Sequence, residues 1–108
     1  MDRKKIEIWQ IKNSCDYSWM RWSYAKDKFN PYDYKKVYKD IRENVNLESL
    51  FVEFNTNHPT DFTGHSMSVS DVIVVKQDNK EKIYYVDSVG FEDITEKWRQ
   101  KVGDNYEG

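Results

Sequence analysis

Five side chains able to bind metals or transfer protons fall in the second half of the chain: His58, Asp61, His65, Asp71 and Asp87. Histidine nitrogens and carboxylate oxygens are ligands for divalent metals, and the same groups act as general acids and bases. Their spacing matches no known ligand motif. Aspartates beside turns and strand ends commonly cap backbone N–H groups instead. We therefore expect no enzyme, metal or cofactor site here. A small metal-dependent hydrolase using His58, Asp61, His65 and Asp87 stays an alternative.

Three serines, Ser66, Ser68 and Ser70, alternate along the same stretch, which is typical of an extended segment with hydroxyls on one face. A nucleophilic serine would need an adjacent base and a sharp turn such as Gly-x-Ser-x-Gly, and that motif is missing from the sequence. We interpret the hydroxyls as partners for the loop's own backbone. Gly64 and Gly90 are expected to allow a positive φ or a close approach of two backbone segments.

Aromatic and basic residues are interleaved between positions 17 and 42, where seven basic and three acidic side chains give a charge of +4. Such a segment can stack and pair with single-stranded nucleic acid. The whole chain is acidic, with a net charge of −2, whereas nucleic-acid-binding domains usually have a pI above about 9. We therefore predict a protein-binding surface and keep single-stranded nucleic acid, bound through residues 19–42, as the alternative. The predicted contact residues are Trp19, Arg21, Trp22, Tyr24, Tyr34, Lys36 and Tyr38.

Residues 43–75 have the opposite charge, with five carboxylates and no lysine or arginine. A segment of this kind can imitate the phosphates of a nucleic acid and occupy a basic groove on a nuclease. The sequence leaves open whether residues 43–75 imitate a nucleic acid.

Length and composition indicate one domain over residues 1–108, because a chain of 108 residues has room for a single core. Aromatic residues make up 16% of the chain, so we expect rings to fill much of that core. Cys15 is the only cysteine and cannot form an internal disulfide. The N-terminus is charged and has no apolar stretch, from which we expect a cytoplasmic protein that does not bind membranes.

Hydrophobic periodicity predicts the elements of the first half. Residues 5–11 alternate as in a strand, and the lysines at its start suggest an edge strand. A helix is predicted over 19–28, followed by a strand over 32–39 with its tyrosines on one face. The best helix is predicted over 47–55, where Asn46 can act as N-cap.

The second half is organised around a predicted hairpin, with strands over 71–77 and 82–88 joined by a polar turn. Both strands are apolar on both faces, which is typical of a central position in a covered sheet. A third helix is predicted over 91–101, and a frayed tail over 102–108. The sequence therefore predicts a small α+β domain in which helices pack on a mostly antiparallel sheet of three or four strands.

The sequences HPTDF (58–62), GHSMSVSDV (64–72), YVDS (85–88) and GF (90–91) together resemble the YodL-like small domains. These domains occur in Gram-positive bacteria and in polyvalent proteins of phages and conjugative elements, some beside anti-restriction modules. The resemblance implies a binding domain without established catalytic activity. It makes this chain a candidate inhibitor or accessory protein of a mobile element, aimed at a host protein such as a CRISPR or restriction nuclease or nucleoprotein complex. The signature residues are His58, Asp61, Gly64, His65, Ser68, Asp71 and Asp87.

Overall fold

A computed structural model describes residues 3–102 of the chain. In chain order the elements are β1 (Lys4–Ile11), α1 (Trp22–Ala25), a 3₁₀ helix (Pro31–Asp33), β2 (Tyr34–Arg42), α2 (Leu47–Thr56), β3 (Val72–Gln77), β4 (Lys80–Val86), β5 (Phe91–Asp93) and α3 (Thr95–Val102). The fold is α+β as predicted, with five strands rather than three or four. The predicted tail lies outside the described residues beyond Val102. None of the helices within residues 3–102 has the length and apolar character needed to cross a bilayer.

The first strand, β1, lies inside the sheet, whose strand order is β2-β1-β3-β4-β5 with every neighbouring pair antiparallel. Ile6 of β1 faces Asp40 of β2 on one side and Val75 of β3 on the other. The prediction of an edge strand was therefore wrong. The connection from β2 through α2 passes over β1 and returns the chain on its far side, and this long-range step has no local sequence signal. The edges of the sheet are β2 and β5.

Hydrophobic cores lie on both faces of the sheet. Under α2 and the loop that follows it are the side chains of Ile6, Ile8, Val37, Tyr38, Leu50, Phe54, Phe62, Met67, Ile73 and Val86. Under α1 and α3 are those of Tyr17, Ala25, Phe29, Tyr34, Val72, Val74, Ile83, Tyr85, Ile94 and Trp98. Successive residues of β3 thus enter opposite cores, which confirms the prediction that this hairpin is apolar on both faces. The hairpin strands are shorter than predicted at their outer ends, and their turn is only Asp78 and Asn79.

A β-bulge in β2 separates two tyrosines that the period-two pattern placed on one face. Ile8 of β1 pairs with Tyr38, yet the next residue of β1 pairs with Lys36, so Val37 is an extra residue in the ladder. An extra residue reverses the side-chain alternation beyond it. Tyr34 consequently lies in the core under α3, and Tyr38 lies in the core under α2.

Two of the three predicted helices have different bounds. The helix expected over 19–28 is reduced to the single turn of α1. Trp19 cannot belong to it, because its φ of 63° lies outside the helical region. The helix expected over 91–101 begins only at Thr95. Residues 91–93 pair with β4 as β5 instead, after a turn in which Gly90 has a φ of 75°. The helix expected over 47–55 is confirmed as α2, with the Asn46 side chain accepting a hydrogen bond at its N-terminus.

Candidate functional site

Gln10 lies at the end of β1 and connects the signature loop to the sheet. It is 1% exposed. Its Nε2 donates to Asp71 Oδ2 at 3.0 Å and to the His65 carbonyl at 2.9 Å, and its Oε1 accepts from the His65 N–H at 3.1 Å. Sequence reasoning missed Gln10. The alternation of the strand could have indicated it, because Ile6, Ile8 and Gln10 lie on the same face of β1. Gln10 is thus a polar residue at a position where the pattern predicts burial.

Gly64 makes this arrangement sterically feasible. A Cβ at that position would lie 2.1 Å from Gln10 Oε1, far inside van der Waals contact. Each glycine has one of the two predicted roles: Gly64 permits the close approach of Gln10, and Gly90 has a positive φ.

Asp71 is a buried carboxylate at the start of β3, with an exposed fraction of 2%. Its Oδ2 accepts hydrogen bonds from Gln10 Nε2 and from the Ser68 N–H at 2.9 Å. Within residues 3–102, no hydrogen-bond donor is placed on Oδ1. Burial raises the pKa of the Asp71 carboxyl to about 7, although the two hydrogen bonds and the nearby His65 act in the opposite direction. The Ser68 hydroxyl is also buried and has no hydrogen-bond partner among these residues.

A cavity of about 240 Å³ lies beside this carboxylate, at the end of β1. Its lining residues are Ile11, Lys12, Ser14, Ser18, Trp19, His65 and Asp71. The cavity is therefore lined by one buried acid together with two serines, a tryptophan, a lysine and a histidine.

The turn that precedes α1 borders the same cavity and is fixed to the sheet by its backbone. The Trp19 N–H donates to Ser70 Oγ at 3.0 Å, and the Tyr85 hydroxyl donates to the Met20 carbonyl at 2.5 Å. Both Trp19 and Ser70 have positive φ angles, of 63° and 84°. A bulky residue in this region costs about 1–3 kcal/mol unless its surroundings impose the conformation. The hydrogen bonds on both sides of Trp19 impose it here.

The side chains of this turn point outward despite that fixation. Trp19 is 59% exposed, Met20 43% and Tyr24 48%. Arg21 is exposed as well. We refer to residues 19–24 as the exposed aromatic segment. It presents large side chains from a backbone that is already ordered.

A protein-family model described as "YodL-like domain" matches residues 5–97 of the chain, from β1 into α3. The chain belongs to the YodL-like family. No curated protein and no solved structure matched it. The matched range includes β1, the exposed aromatic segment and the cavity, so the YodL-like domain is more than the hairpin and loop that carry its most recognisable residues.

His65 and Asp71 of this YodL-like domain line the same cavity, whereas His58, Asp61 and Asp87 have separate surroundings. His58 is exposed, its Nδ1 lies 3.0 Å from the Pro59 carbonyl, and its ring packs against Phe62. Asp61 is exposed, and Asp87 Oδ1 accepts from the Trp22 N–H at 3.0 Å, at the start of α1. Within residues 3–102 no three His, Cys, Asp or Glu side chains are arranged to hold a metal ion.

The structure divides the predicted contact residues into two groups. Three lie at the surface in the exposed aromatic segment, namely Trp19, Arg21 and Tyr24. The others have neighbours inside the domain: Trp22 packs on Phe29 and Tyr85, Tyr34 and Tyr38 are core residues, and Lys36 pairs with a carboxylate.

That carboxylate belongs to Glu7, a second buried polar residue that sequence reasoning missed. Glu7 is fully buried on β1, and its Oε2 lies 3.3 Å from both Lys36 Nζ and Lys76 Nζ. Its Oε1 accepts from Trp9 Nε1 at 2.9 Å. The lysines of the two flanking strands therefore neutralise the only carboxylate of β1.

Proposed function

We propose that this YodL-like domain is a non-enzymatic protein-binding module, an inhibitor or accessory protein of a mobile genetic element, and that its exposed aromatic segment contacts the partner. The observation that carries the proposal is the exposure of Trp19 and Met20, on a turn with a fixed backbone, and of Tyr24 in α1 directly after it.

Residue type supports a protein partner. Tryptophan, tyrosine and arginine are enriched among the residues that dominate protein–protein affinity, and methionine is enriched in interfaces generally. All four types occur within residues 19–24. Ordering a flexible loop on binding costs affinity, and a turn already fixed by Ser70 and Tyr85 avoids much of that cost.

The resemblance to mobile-element proteins makes a host defence nuclease the first partner class to test. Nucleic-acid mimicry by residues 43–75 has less support than the sequence suggested. Glu53 accepts two hydrogen bonds from Arg42, at 2.9 and 3.0 Å, and Asp71 is buried. Three carboxylates of this segment remain exposed, those of Glu43, Glu48 and Asp61.

Single-stranded nucleic acid remains the second candidate, because Lys28 Nζ lies 5.4 Å from the centre of the Tyr24 ring and Lys12 lines the same cavity as Trp19. The domain offers fewer exposed aromatic rings for base stacking than the sequence suggested, since Tyr34 and Tyr38 are core residues. A binding constant that falls steeply with salt, and a slope reduced by Lys35→Ala and Lys39→Ala, would favour it.

The proposal is tested by capturing partners from the host cell with the wild-type domain and with two variants. We expect wild type to recover a protein in stoichiometric amount and a Trp19→Ala/Tyr24→Ala variant to lose it. Val52→Ala is the matched control, because Val52 is 57% exposed on α2, outside the segment. Recovery of no stoichiometric protein, together with tight binding to free oligonucleotide, would refute the proposal.

The hydrolase alternative has its own test in the four variants His58→Ala, Asp61→Ala, His65→Ala and Asp87→Ala. A metal-dependent activity of wild type that all four lose while still folding would favour it over a binding module.

A further inference from the structure

We propose that the cavity beside Asp71 receives a cationic side chain of the protein partner, an arginine or a lysine, which pairs with Asp71 Oδ1 and lies against the indole of Trp19. This inference rests on the proposed function, and it specifies the chemistry of the partner at one point of the contact.

The first argument is the uneven hydrogen bonding of Asp71. Both donors present, Gln10 Nε2 and the Ser68 N–H, are placed on Oδ2. Oδ1 has no donor among residues 3–102, and it is not one of the fully buried atoms without a partner, so it stays accessible from the cavity that Asp71 lines. A carboxylate oxygen in a largely buried side chain accepts a hydrogen bond wherever a donor can reach it. A donor from outside the domain would complete the set, and a charged donor would do so best.

The second argument is the space and its lining. The cavity of about 240 Å³ exceeds the roughly 30 Å³ that a water molecule occupies in the liquid by enough to admit the end of a long side chain. Ser14, Ser18 and Trp19 are among its lining residues, and the Ser18 hydroxyl already accepts from the Cys15 N–H at 2.9 Å. An indole face is the strongest cation–π partner among the aromatic side chains. A carboxylate and a tryptophan at one cavity together favour a cation and disfavour a phosphate or carboxylate ligand.

Two basic residues of the domain itself, Lys12 and His65, line the same cavity. Lys12 lines it but is exposed, and within residues 3–102 it forms no ion pair with Asp71. Its ammonium group would compete with an incoming cation for Oδ1. Replacing Lys12 by methionine removes that competition and keeps the length of the side chain. His65 also lines the cavity, and its protonated form would repel a cation.

The probe for the test is Nα-acetyl-argininamide, with Nα-acetyl-citrullinamide as a neutral analogue of nearly the same shape. Binding to the intact chain is followed by NMR through the Trp19 indole N–H and the backbone N–H groups of His65 and Ser68. We expect saturable binding of the arginine probe with a dissociation constant on the order of millimolar, and at least tenfold weaker binding of the citrulline probe.

Substitutions in the chain locate that binding. Asp71→Asn retains an acceptor for Gln10 and Ser68 but removes the charge, and we expect it to weaken binding of the arginine probe about tenfold or more. Trp19→Ala should weaken it severalfold. Lys12→Met should strengthen it. Equal binding of the two probes, equal binding to wild type and Asp71→Asn, or no saturable shift with wild type would each overturn the inference.

A pH series provides a second test that needs no variant at Asp71. The groups facing Asp71 are His65, Lys12, Tyr34 and Tyr85. Burial raises the pKa of both tyrosines, so they stay neutral between pH 5 and pH 8. Binding of the arginine probe should strengthen from pH 5 to pH 8 as Asp71 ionises, and this dependence should persist in His65→Gln. A pH dependence that disappears in His65→Gln would contradict the role of Asp71.

Capture from the host cell separates this inference from the proposed function. If Trp19→Ala/Tyr24→Ala loses the captured protein but Asp71→Asn retains it fully, the proposed protein-binding function is supported and the cation site is refuted. If wild type captures no protein yet binds the arginine probe through Asp71, the proposed function is refuted and the cavity is a cation site of another kind. A probe-sized nucleoside, cytidine, that displaces the arginine probe at lower concentration would assign the cavity to a base and would also overturn the inference.

Discussion

Replacing Gly64 by alanine places a methyl group where the Gln10 side chain already lies. The Cβ would be 2.1 Å from Gln10 Oε1, 3.0 Å from its Cδ and 3.1 Å from Phe62 Cζ, whereas carbon atoms pack at about 3.5–4.0 Å. Gly64 has no positive φ that would itself exclude alanine. The cost of this substitution is therefore steric, and it falls mainly on one neighbour.

The magnitude follows from what Gln10 loses when it is displaced. Its hydrogen bonds with the His65 N–H and with Asp71 Oδ2 are broken, and each leaves a poorly solvated polar group at a cost of about 1–3 kcal/mol. Replacing glycine by alanine returns about 0.4–1 kcal/mol by restricting the unfolded chain. We expect Gly64→Ala to lower the free energy of unfolding by about 2–4 kcal/mol.

Urea denaturation followed by circular dichroism measures this loss, and a double-mutant cycle with Gln10→Ala identifies its cause. In the Gln10→Ala background both Gln10 atoms are gone and only the 3.1 Å contact with Phe62 Cζ is left, so adding Gly64→Ala should change the free energy of unfolding by less than about 1 kcal/mol. If Gly64→Ala is equally destabilising in both backgrounds, the contact with Gln10 is not the reason for glycine at this position.

Three further predictions concern stability. The folded-state pKa of Asp71, about 7, lies above its ordinary value. Between about pH 4 and pH 7, therefore, Asp71 is protonated in the folded protein and ionised in the unfolded chain. The free energy of unfolding falls as pH rises through that window. Relative to wild type, the free energy of unfolding of Asp71→Asn should rise by up to about 1.4 kcal/mol per pH unit in that window. Urea denaturation that gives the same difference between the two proteins at pH 5 and at pH 8 would contradict this. Gly90→Ala should cost about 1 kcal/mol in thermal unfolding and Gly90→Asn less, because only the positive φ opposes a side chain in that open space; equal costs would refute the conformational reason. Glu7→Gln should cost about 1–3 kcal/mol in urea denaturation by leaving its two lysine partners without a buried counter-charge, whereas Glu81→Gln, in a less buried pair at 3.5 Å, should cost under about 0.5; similar values would refute the importance of burial.

Local patterns were sufficient wherever an element depends on its own residues. The helix α2 follows from Asn46 as N-cap and from apolar side chains at helical spacing, of which Leu50 and Phe54 are buried. The hairpin of β3 and β4 follows from β-branched and aromatic runs around a short polar turn. In both cases periodicity reports burial directly.

The candidate site could be predicted only in part. The signature loop was recognised through Gly64 and Asp71, but Gln10 was not, because its hydrogen bonds span 55 and 61 residues of sequence. Of the predicted contact residues, Trp19, Arg21 and Tyr24 are exposed, whereas Tyr34 and Tyr38 are core residues. An aromatic residue has the same pattern in sequence whether it is packed or exposed.

The sequence by itself determined the family, the α+β class, the hairpin and α2, because these depend on local propensity and on residue types. Only the tertiary structure decided that β1 lies inside the sheet, that residues 91–93 form a strand, and that Trp19 is exposed beside a buried Asp71. Each of these depends on which distant segment pairs with which. The physical reason is that periodicity specifies how much of a side chain is buried, whereas the partner that buries it, or leaves it exposed, is chosen by contacts across the whole chain.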